Sequence, residues 1–199
     1  MKIKGRLILL VISGMLILGA AALSVSIYFI NYRGKEEIAS SRSLLMEDRK
    51  DKLKDLVNSA YGIIENTVKK SDNSRDILME ETRELIGKLR FGQENDNYFW
   101  INDTRPGMIM HPLKPELNGK DLSDLKDPEG KRLFVDMVDI CKNKGEGFVE
   151  YMWEKPGFVK PVQKLSFVKL NRELNWIVGA GIGHNGRRTT GTGRGHVTQ

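Results

Sequence analysis

The sequence predicts an α+β fold in which helices come first and a single antiparallel sheet follows. Two observations support this prediction. Apolar residues recur at helical spacing before Gly92, and after it the chain changes to short β-prone stretches separated by turn residues. The loops between the last three stretches are short, which favours antiparallel pairing, and helices over one face of such a sheet make an α+β fold.

The amino-terminal segment is long and apolar enough to cross a membrane. Residues 7–30 contain no charged side chain, and a helix of that length crosses a bilayer core of about 30 Å. The basic residues before it place the start of the chain in the cytoplasm and the bulk of the chain outside. Residues 20–22 are alanines, so a cleaved signal peptide is the alternative. Because the apolar run continues to residue 30, we favour an anchor over residues 1–32 and expect a single-pass protein of the cell membrane.

Residues 33–70 predict one long helix, since they contain no proline and carry apolar residues at near-helical spacing. The predicted stripe consists of Leu53, Leu56, Ala60, Ile63 and Val68. Residues 35–52 are more polar, and two interpretations stay open for them: a contact that pairs two copies in a homodimer, or a solvated helix.

A second helix is predicted after a polar break at residues 71–74. It ends at Gly92. Its buried face is predicted to hold Leu78, Thr82, Leu85 and Leu89.

Five short strands are predicted after the second helix, and a third helix lies between the second and third of them. The strands cover residues 98–101, 108–111, 147–153, 162–169 and 176–182. The helix starts with Asp127 as N-cap and Pro128 in its first turn, and it ends at Gly145. Its buried stripe consists of Leu133, Phe134, Met137, Val138 and Cys141. Cys141 is therefore interpreted as a structural thiol.

The composition and charge exclude several classes of protein. With 40% hydrophobic and 29% charged residues, the chain of 199 residues is neither collagen-like, nor a long disordered acidic chain, nor a multi-pass membrane protein. The net charge of +6 comes from residues 1–30 and 183–199, which leaves residues 31–182 neutral. A nucleic-acid-binding domain needs a basic face, so we expect no nucleic-acid partner.

One face of the predicted sheet carries polar aromatic and basic side chains together. Strand alternation puts Tyr98 and Trp100 on one face of the first strand. It likewise groups residues on one face of the third strand and on one face of the fourth, which are Val149, Tyr151 and Trp153, and Val162, Lys164, Ser166 and Val168. Such a face is costly to bury unless its polar ends meet a partner, and a small anion is one that fits. Lys164 and Arg90 are candidates to neutralise a carboxylate. Tyr98 and His111 are candidate hydrogen-bond donors, and Trp100 is a candidate cover for the apolar remainder.

Each of these residues also has a structural interpretation. Trp100 can fill the core, and His111 can be satisfied by the backbone at a strand end. Lys164 can lie exposed on an edge strand. Arg90 can be a cation at a helix C-terminus.

Motifs for enzymatic chemistry are missing from the sequence. His111 has no histidine or cysteine at metal-ligand spacing, and no glycine-rich phosphate loop or serine nucleophile elbow follows a predicted strand. We therefore expect a binding protein that is not an enzyme, with no cofactor and no metal.

Several ordered stretches resemble the single Cache sensor domain, over about residues 33–182. They are residues 98–103, 110–112, 119–122, 147–153, 161–168 and 176–182. The resemblance implies an extracytoplasmic, PAS-like sensor, as found in bacterial methyl-accepting chemotaxis receptors and sensor kinases. It also implies a small organic ligand, often a carboxylate such as acetate, propionate, lactate or pyruvate. The matching pocket positions are Arg90, Tyr98, Trp100, His111 and Lys164.

The end of the chain departs from the pattern of such receptors. Residues 183–199 are rich in glycine, threonine and arginine and are predicted to be disordered. Receptors of this kind usually continue into a second span and an output domain. The sequence is thus read either as a truncated or frame-shifted receptor or as a single-pass sensor that acts through a partner. A second function also stays open: a tethered interaction module that dimerises or modulates a receptor without a small ligand.

Overall fold

The computed structural model describes residues 3–69, 75–155 and 158–183. The chain forms two compact units, Met1–Arg49 and Lys50–Gln199. The predicted break at residues 71–74 lies outside the described residues, and so does the predicted disordered tail of residues 183–199 except Gly183, which ends a strand. Helix α1 covers Ile3–Lys69 and confirms the long helix expected over residues 33–70.

The N-terminal unit is described as the first part of α1. Within it, Ile12–Ile30 is long and apolar enough to cross a membrane. The large apolar side chains of this stretch are more than half exposed, among them Leu16 and Phe29. Burial within the chain therefore does not explain why this helix is apolar.

In the C-terminal unit, the last part of α1 buries Leu53, Val57, Ala60 and Ile64. Two positions of the predicted stripe are each wrong by one residue, since Leu56 and Ile63 are half-buried whereas the next residues, Val57 and Ile64, are buried. Val68 is also half-buried. Spacing alone does not fix which of two adjacent apolar residues faces the core when both are present.

Helix α2 covers Arg75–Lys88 and packs on α1 through paired hydroxyl groups. Thr82 Oγ1 donates to Thr67 Oγ1 at 2.9 Å. Thr82 and Ile86 are buried, whereas Leu85 is 48% exposed, so the prediction of Leu85 as a buried residue is wrong. The helix also ends four residues before Gly92, because the chain enters a short strand there.

Within the described residues, six antiparallel strands form one sheet, one strand more than predicted. They are β1 (Arg90–Phe91), β2 (Asn97–Asp103), β3 (Met108–Met110), β4 (Glu146–Trp153), β5 (Val162–Asn171) and β6 (Trp176–Gly183). The order is β1-β2-β6-β5-β4, and β3 pairs with β2. A 3-10 helix covers Pro115–Leu117. The sequence missed β1 because two residues carry no alternation signal.

One face of the sheet is covered by the last part of α1. Lys54 Nζ lies 5.8 Å from the centre of the Phe167 ring and pairs with Glu146 at 3.1 Å. Lys169 Nζ donates to Asn58 Oδ1 at 2.8 Å. These contacts join β4 and β5 to α1 inside the C-terminal unit.

The opposite face is covered by helix α3, Leu133–Lys144. The buried stripe predicted for this helix is confirmed at all five positions. It forms one core cluster with inward side chains of β2, β4 and β5, which include Tyr98, Trp100, Val149, Tyr151 and Val168. The strand faces predicted from alternation are therefore confirmed for these three strands.

Helix α3 begins five residues later than predicted, since its N-cap is Arg132 and not Asp127. The Asp127 carboxylate instead accepts hydrogen bonds from the backbone N–H groups of Glu129, Lys131 and Met152, at 2.9, 2.8 and 2.9 Å. A short carboxylate closes turns by the same contacts with which it caps helices. Because Met152 belongs to β4, Asp127 fastens the loop before α3 to the sheet.

We expect Asp127→Asn to destabilise the protein by about 1–3 kcal/mol at neutral pH, since an amide cannot accept all three hydrogen bonds. Burial raises the pKa of Asp127, but the three backbone donors and Lys131 outweigh it and leave the pKa below its ordinary value. The stabilisation is therefore present at neutral pH and is lost as the pH falls through the lowered pKa. Thermal unfolding of both proteins across that range checks this, and a difference that does not shrink in acid would contradict it.

Candidate functional site

Lys164 lies near the start of β5, on the sheet face that α3 covers. It is 6% exposed and sits on β5, between β4 and β6, so it is not on an exposed edge. Its Nζ donates to Tyr98 Oη at 3.1 Å. The same atom lies 4.2 Å from the centre of the Tyr98 ring and 5.3 Å from that of Trp100. An amine is therefore buried between two aromatic rings.

The surroundings of Lys164 do little to stabilise a positive charge on its amine. Among the described residues, no carboxylate forms an ion pair with it. Burial lowers the pKa of Lys164 from 10.5 to about 7. The amine is thus poised between its neutral and charged forms near neutral pH, and an anion beside it favours the charged form.

The Tyr98 hydroxyl is held by two donors. Trp153 Nε1 donates to Tyr98 Oη at 3.0 Å, in addition to Lys164 Nζ. Burial raises the pKa of Tyr98 to about 12, so the hydroxyl keeps its proton at all physiological pH values. Because both lone pairs of the oxygen are occupied when Lys164 is charged, the hydroxyl hydrogen is left to donate to a further group.

His111 presents a neutral ring to the same cluster. Its Nδ1 accepts backbone N–H bonds from Leu113 at 3.3 Å and Lys114 at 2.9 Å, which places the ring proton on Nε2. The ring centre lies 5.0 Å from that of Tyr98 and 6.0 Å from that of Trp153. Burial, with the charges of two lysines, lowers the pKa of His111 to about 3. His111 is therefore both satisfied by the backbone and available as an Nε2–H donor.

Four of the five predicted site residues come together, and Arg90 lies apart from them. Arg90 on β1 is the register partner of Tyr98, but its side chain is exposed. Its Nη1 donates to the carbonyl oxygens of Gly87 and Leu89 at 2.7 and 2.8 Å, at the C-terminus of α2. Arg90 therefore has the contacts of a cation at a helix C-terminus, which the sequence analysis gave as the alternative to a ligand-binding role.

The cluster also contains residues that were absent from the predicted set. Trp153 binds Tyr98, and Tyr151 Oη lies 3.0 Å from Ser166 Oγ in a buried hydrogen bond. The buried Asn102 accepts a hydrogen bond from Trp100 Nε1 at 3.1 Å. Alternation in the sequence placed Tyr151 with Trp153 and Ser166 with Lys164. It did not predict the strand order that brings these pairs to Tyr98.

Two glycines of β6 make room for these side chains. A methyl group on Gly179 would collide with the indole ring of Trp100. A methyl group on Gly181 would collide with Ser166 Oγ and lie 2.6 Å from Lys164 Cε. The small residues of β6 therefore allow large side chains from β2 and β5 to lie across the strand.

The cluster opens to the surface through a narrow cleft. The residues that line it are Asp96, Asn97, Tyr98, Trp153, Glu154, Lys155, Val162, Lys164 and Gly183. Its cavity of about 20 Å³ holds roughly one water molecule. Two ion pairs lie at its rim, Lys155 with Asp96 at 3.2 Å and Lys114 with Glu154 at 2.7 Å. The part of the chain that the structure describes contains no group of three metal-ligating side chains.

Comparison with known families decides what this arrangement belongs to. The dCache_2 family, described as a Cache domain, matches residues 32–185. The chain belongs to the Cache domain family. The resemblance read from the sequence is thereby confirmed, and so are the helices and antiparallel sheet of an α+β, PAS-like fold.

Relatives of this Cache domain include chemotaxis proteins and a sensor histidine kinase. The chain is 35% identical over 141 residues to the methyl-accepting chemotaxis protein McpP of Pseudomonas putida, a match that covers 69% of this chain and 26% of the receptor. It thus spans about a quarter of that curated receptor's length.

Two solved structures share the fold at higher identity. The periplasmic sensor domain of a chemotaxis protein is 38% identical with a TM-score of 0.66, covering 70% of this chain and 98% of that one. A Cache chemosensory domain solved for its carboxylic acid recognition is 39% identical with a TM-score of 0.65, covering 71% and 97%.

Proposed function

We propose that this Cache domain is an extracytoplasmic sensor that binds a short organic carboxylate on the cluster around Lys164. The observation that carries the proposal is the buried Lys164 amine, which pairs with no carboxylate of the described chain and lies beside two further donors, Tyr98 and His111. A related Cache domain recognises carboxylic acids, which supports the same ligand class here.

Each residue of the cluster has a distinct role in this proposal. The Lys164 ammonium neutralises the carboxylate, and the Tyr98 hydroxyl and His111 Nε2–H fix its orientation. Trp100 and Trp153 cover the apolar part of the ligand. Because the cavity of about 20 Å³ holds roughly one water molecule, the rim must move outward to admit even a small acid.

The sheet offers a route from the ligand to α1. Lys164 and Lys169 lie on β5 but on opposite faces, and Lys169 bonds to Asn58 of α1 and pairs with Glu146 at 3.1 Å. A ligand that draws Lys164 toward itself shifts β5 against α1. A bias of about 1–3 kcal/mol between two arrangements is typical of such coupling.

We further propose that residues 7–30 anchor the domain in the cell membrane, with the domain on the periplasmic or extracellular side. The candidate span Ile12–Ile30 and its exposed apolar side chains support the anchor. The basic residues before the span support the orientation. In this organisation residues 33–182 are the sensor domain, and signalling to an output domain or a partner passes through α1.

A melting-temperature screen tests the proposed ligand class. The full chain in detergent is heated with acetate, propionate, lactate or pyruvate, and with amino acids and amines for comparison. A ligand at about a hundred times its Kd adds about 2.7 kcal/mol, or roughly 5–10 °C for a domain of this size. A shift confined to the acids is expected. A folded protein that ignores every acid would contradict the proposal.

A second candidate function is favoured by apolar side chains exposed on α1. Ile38, Leu44 and Leu45 lie exposed within the polar stretch 35–52. Such residues fit a helix that pairs with a second copy or with a receptor. Crosslinking through Ile38→Cys or Leu45→Cys measures that pairing. Pairing together with a negative acid screen would favour the interaction module over the sensor.

We expect Arg90→Ala to weaken carboxylate binding by only a few fold, and by less at high salt. The guanidinium is exposed and lies outside the buried cluster, so water and salt screen its attraction for an anion. Titrations of wild type and variant in low and high salt measure this effect. A loss of a hundredfold or more would place Arg90 in direct contact with the ligand.

A further inference from the structure

One hydrogen bond in the cluster can run in either direction. Tyr98 Oη lies 3.0 Å from Trp153 Nε1 and 3.1 Å from Lys164 Nζ. An ammonium at Lys164 can only donate, so both lone pairs of the phenol oxygen are then filled and its hydrogen points elsewhere. A neutral amine has a lone pair of its own and accepts the Tyr98 hydrogen across the same contact. The charge on Lys164 therefore decides where the Tyr98 hydrogen points.

Lys164 is the group at this site whose charge changes near neutral pH. It is enclosed by the Tyr98 and Trp100 rings, and burial lowers its pKa to about 7. The titratable and charged side chains around it come from β1, β2, β4 and the loops at the rim. They are Arg90, Asp96, Tyr98, His111, Lys114, Tyr151, Glu154 and Lys155.

Three neighbouring groups, His111, Tyr98 and Tyr151, do not take up a proton in this range. His111 Nδ1 is occupied by two backbone N–H bonds, and its pKa is lowered to about 3. The pKa of Tyr98 is raised to about 12 and that of Tyr151 is raised as well, so both hydroxyls keep their protons. Asp96 and Glu154 are each paired with a lysine of the rim.

We propose that a carboxylate enters this site together with one proton, which the Lys164 amine takes from solvent while the Tyr98 hydrogen turns from that amine to the anion. This inference rests on the proposed carboxylate function. An anion and a proton together add no net charge to the buried cluster, which avoids the cost of enclosing an unpaired anion. Binding is therefore coupled to pH, and the affinity falls as the pH rises above about 7.

Calorimetry of the full chain in detergent measures the proton directly. Acetate, propionate, lactate and pyruvate are titrated at pH 7.5 in Tris and in PIPES, whose ionisation enthalpies differ. With a free pKa of about 7, about three quarters of a proton should be taken up per ligand bound. The affinity should fall about 50-fold between pH 7 and pH 9.

Two variants assign the proton to Lys164. Lys164→Met should lose carboxylate binding and any buffer-dependent heat. Lys114→Met is the matched control, since Lys114 lies at the rim in an ion pair with Glu154 and should leave the proton uptake in place. A ligand-free measurement adds an independent check: the NMR signal of the Lys164 ε-methylene, assigned by its loss in Lys164→Met, should titrate with a midpoint near pH 7.

The outcomes separate this inference from the function on which it rests. Binding with the same heat in both buffers and a flat affinity from pH 7 to 9 would overturn the proton coupling and leave the carboxylate function standing. A Lys164 midpoint near 10.5 would also overturn the coupling. No binding of any of the four acids would overturn both.

Discussion

Lys164→Met is expected to raise the melting temperature of the protein and at the same time to abolish carboxylate binding. The lowered pKa of Lys164 means that the folded state holds the charged amine poorly. At pH 7 this amounts to a destabilisation on the order of 4 kcal/mol relative to a pKa of 10.4 in the unfolded chain. Methionine has a similar length and needs no solvation. After subtraction of the lost contact with Tyr98, we expect melting to rise by at least about 5 °C.

The pH dependence of that gain identifies its cause. Between pH 7 and 10.5 the unfolded chain binds more protons at this lysine than the folded chain, so wild-type stability rises with pH. The advantage of methionine is therefore largest at pH 7 and below and disappears toward pH 10.5. Lys169→Met is the matched control on the same strand. Lys169 is paired with Glu146 and bonded to Asn58, so its loss should lower the melting temperature. A Lys164→Met protein that melts lower than wild type at pH 7 would contradict this account.

Gly181→Ala is expected to disrupt the site from the neighbouring strand. The added methyl group would collide with Ser166 Oγ and would lie 2.6 Å from Lys164 Cε and 3.0 Å from the Leu165 carbonyl oxygen. Because the backbone carbonyl cannot move freely, the strands must separate, at a cost of about 2–3 kcal/mol. Melting should fall by roughly 5–10 °C. Displacement of the Lys164 amine from Tyr98 should weaken carboxylate binding at least tenfold.

Gly62→Ala provides the control for the same chemical change at an open position. Gly62 lies in α1, and nothing approaches its added methyl group within 4 Å. Alanine is the better helix residue, so this variant should gain about 0.5–1 kcal/mol. If Gly181→Ala melts and binds like wild type, the close packing between β5 and β6 is not what positions Lys164.

Alternation in the sequence was enough to assign side chains to faces of the sheet. It placed Tyr98 with Trp100 and Lys164 with Ser166, and the structure shows both pairs on the face under α3. Local pattern suffices here because the side-chain direction in a strand repeats every two residues whatever the neighbouring strands are.

Strand order could not be read from the same pattern. Lys164 meets Tyr98 because β6 lies between β5 and β2, and β6 is last in sequence. The contact between Trp153 and Tyr98 has the same origin, since residues 55 positions apart meet only through the sheet. The sequence therefore predicted which residues belong to the cluster better than it predicted which of them contact one another.

The hardest residues to place were those whose charged groups can find hydrogen-bond partners in either of two locations. Arg90 neutralises helix-end carbonyl oxygens at α2 as readily as it would neutralise a ligand. Asp127 closes a turn with the carboxylate that would have capped α3. Tertiary contacts choose between such alternatives, and those contacts are not local in the sequence.

The most direct test of the central claim is to locate a bound acid within the protein. Propionate labelled with carbon-13 is added to the full chain in detergent, and NMR records transfer of magnetisation from its methyl group to protein protons. The account requires contacts with ring protons of Trp100, Tyr98 and Trp153, and their loss in Lys164→Met. Contacts from bound propionate to another part of the chain, with none to these rings, would contradict it.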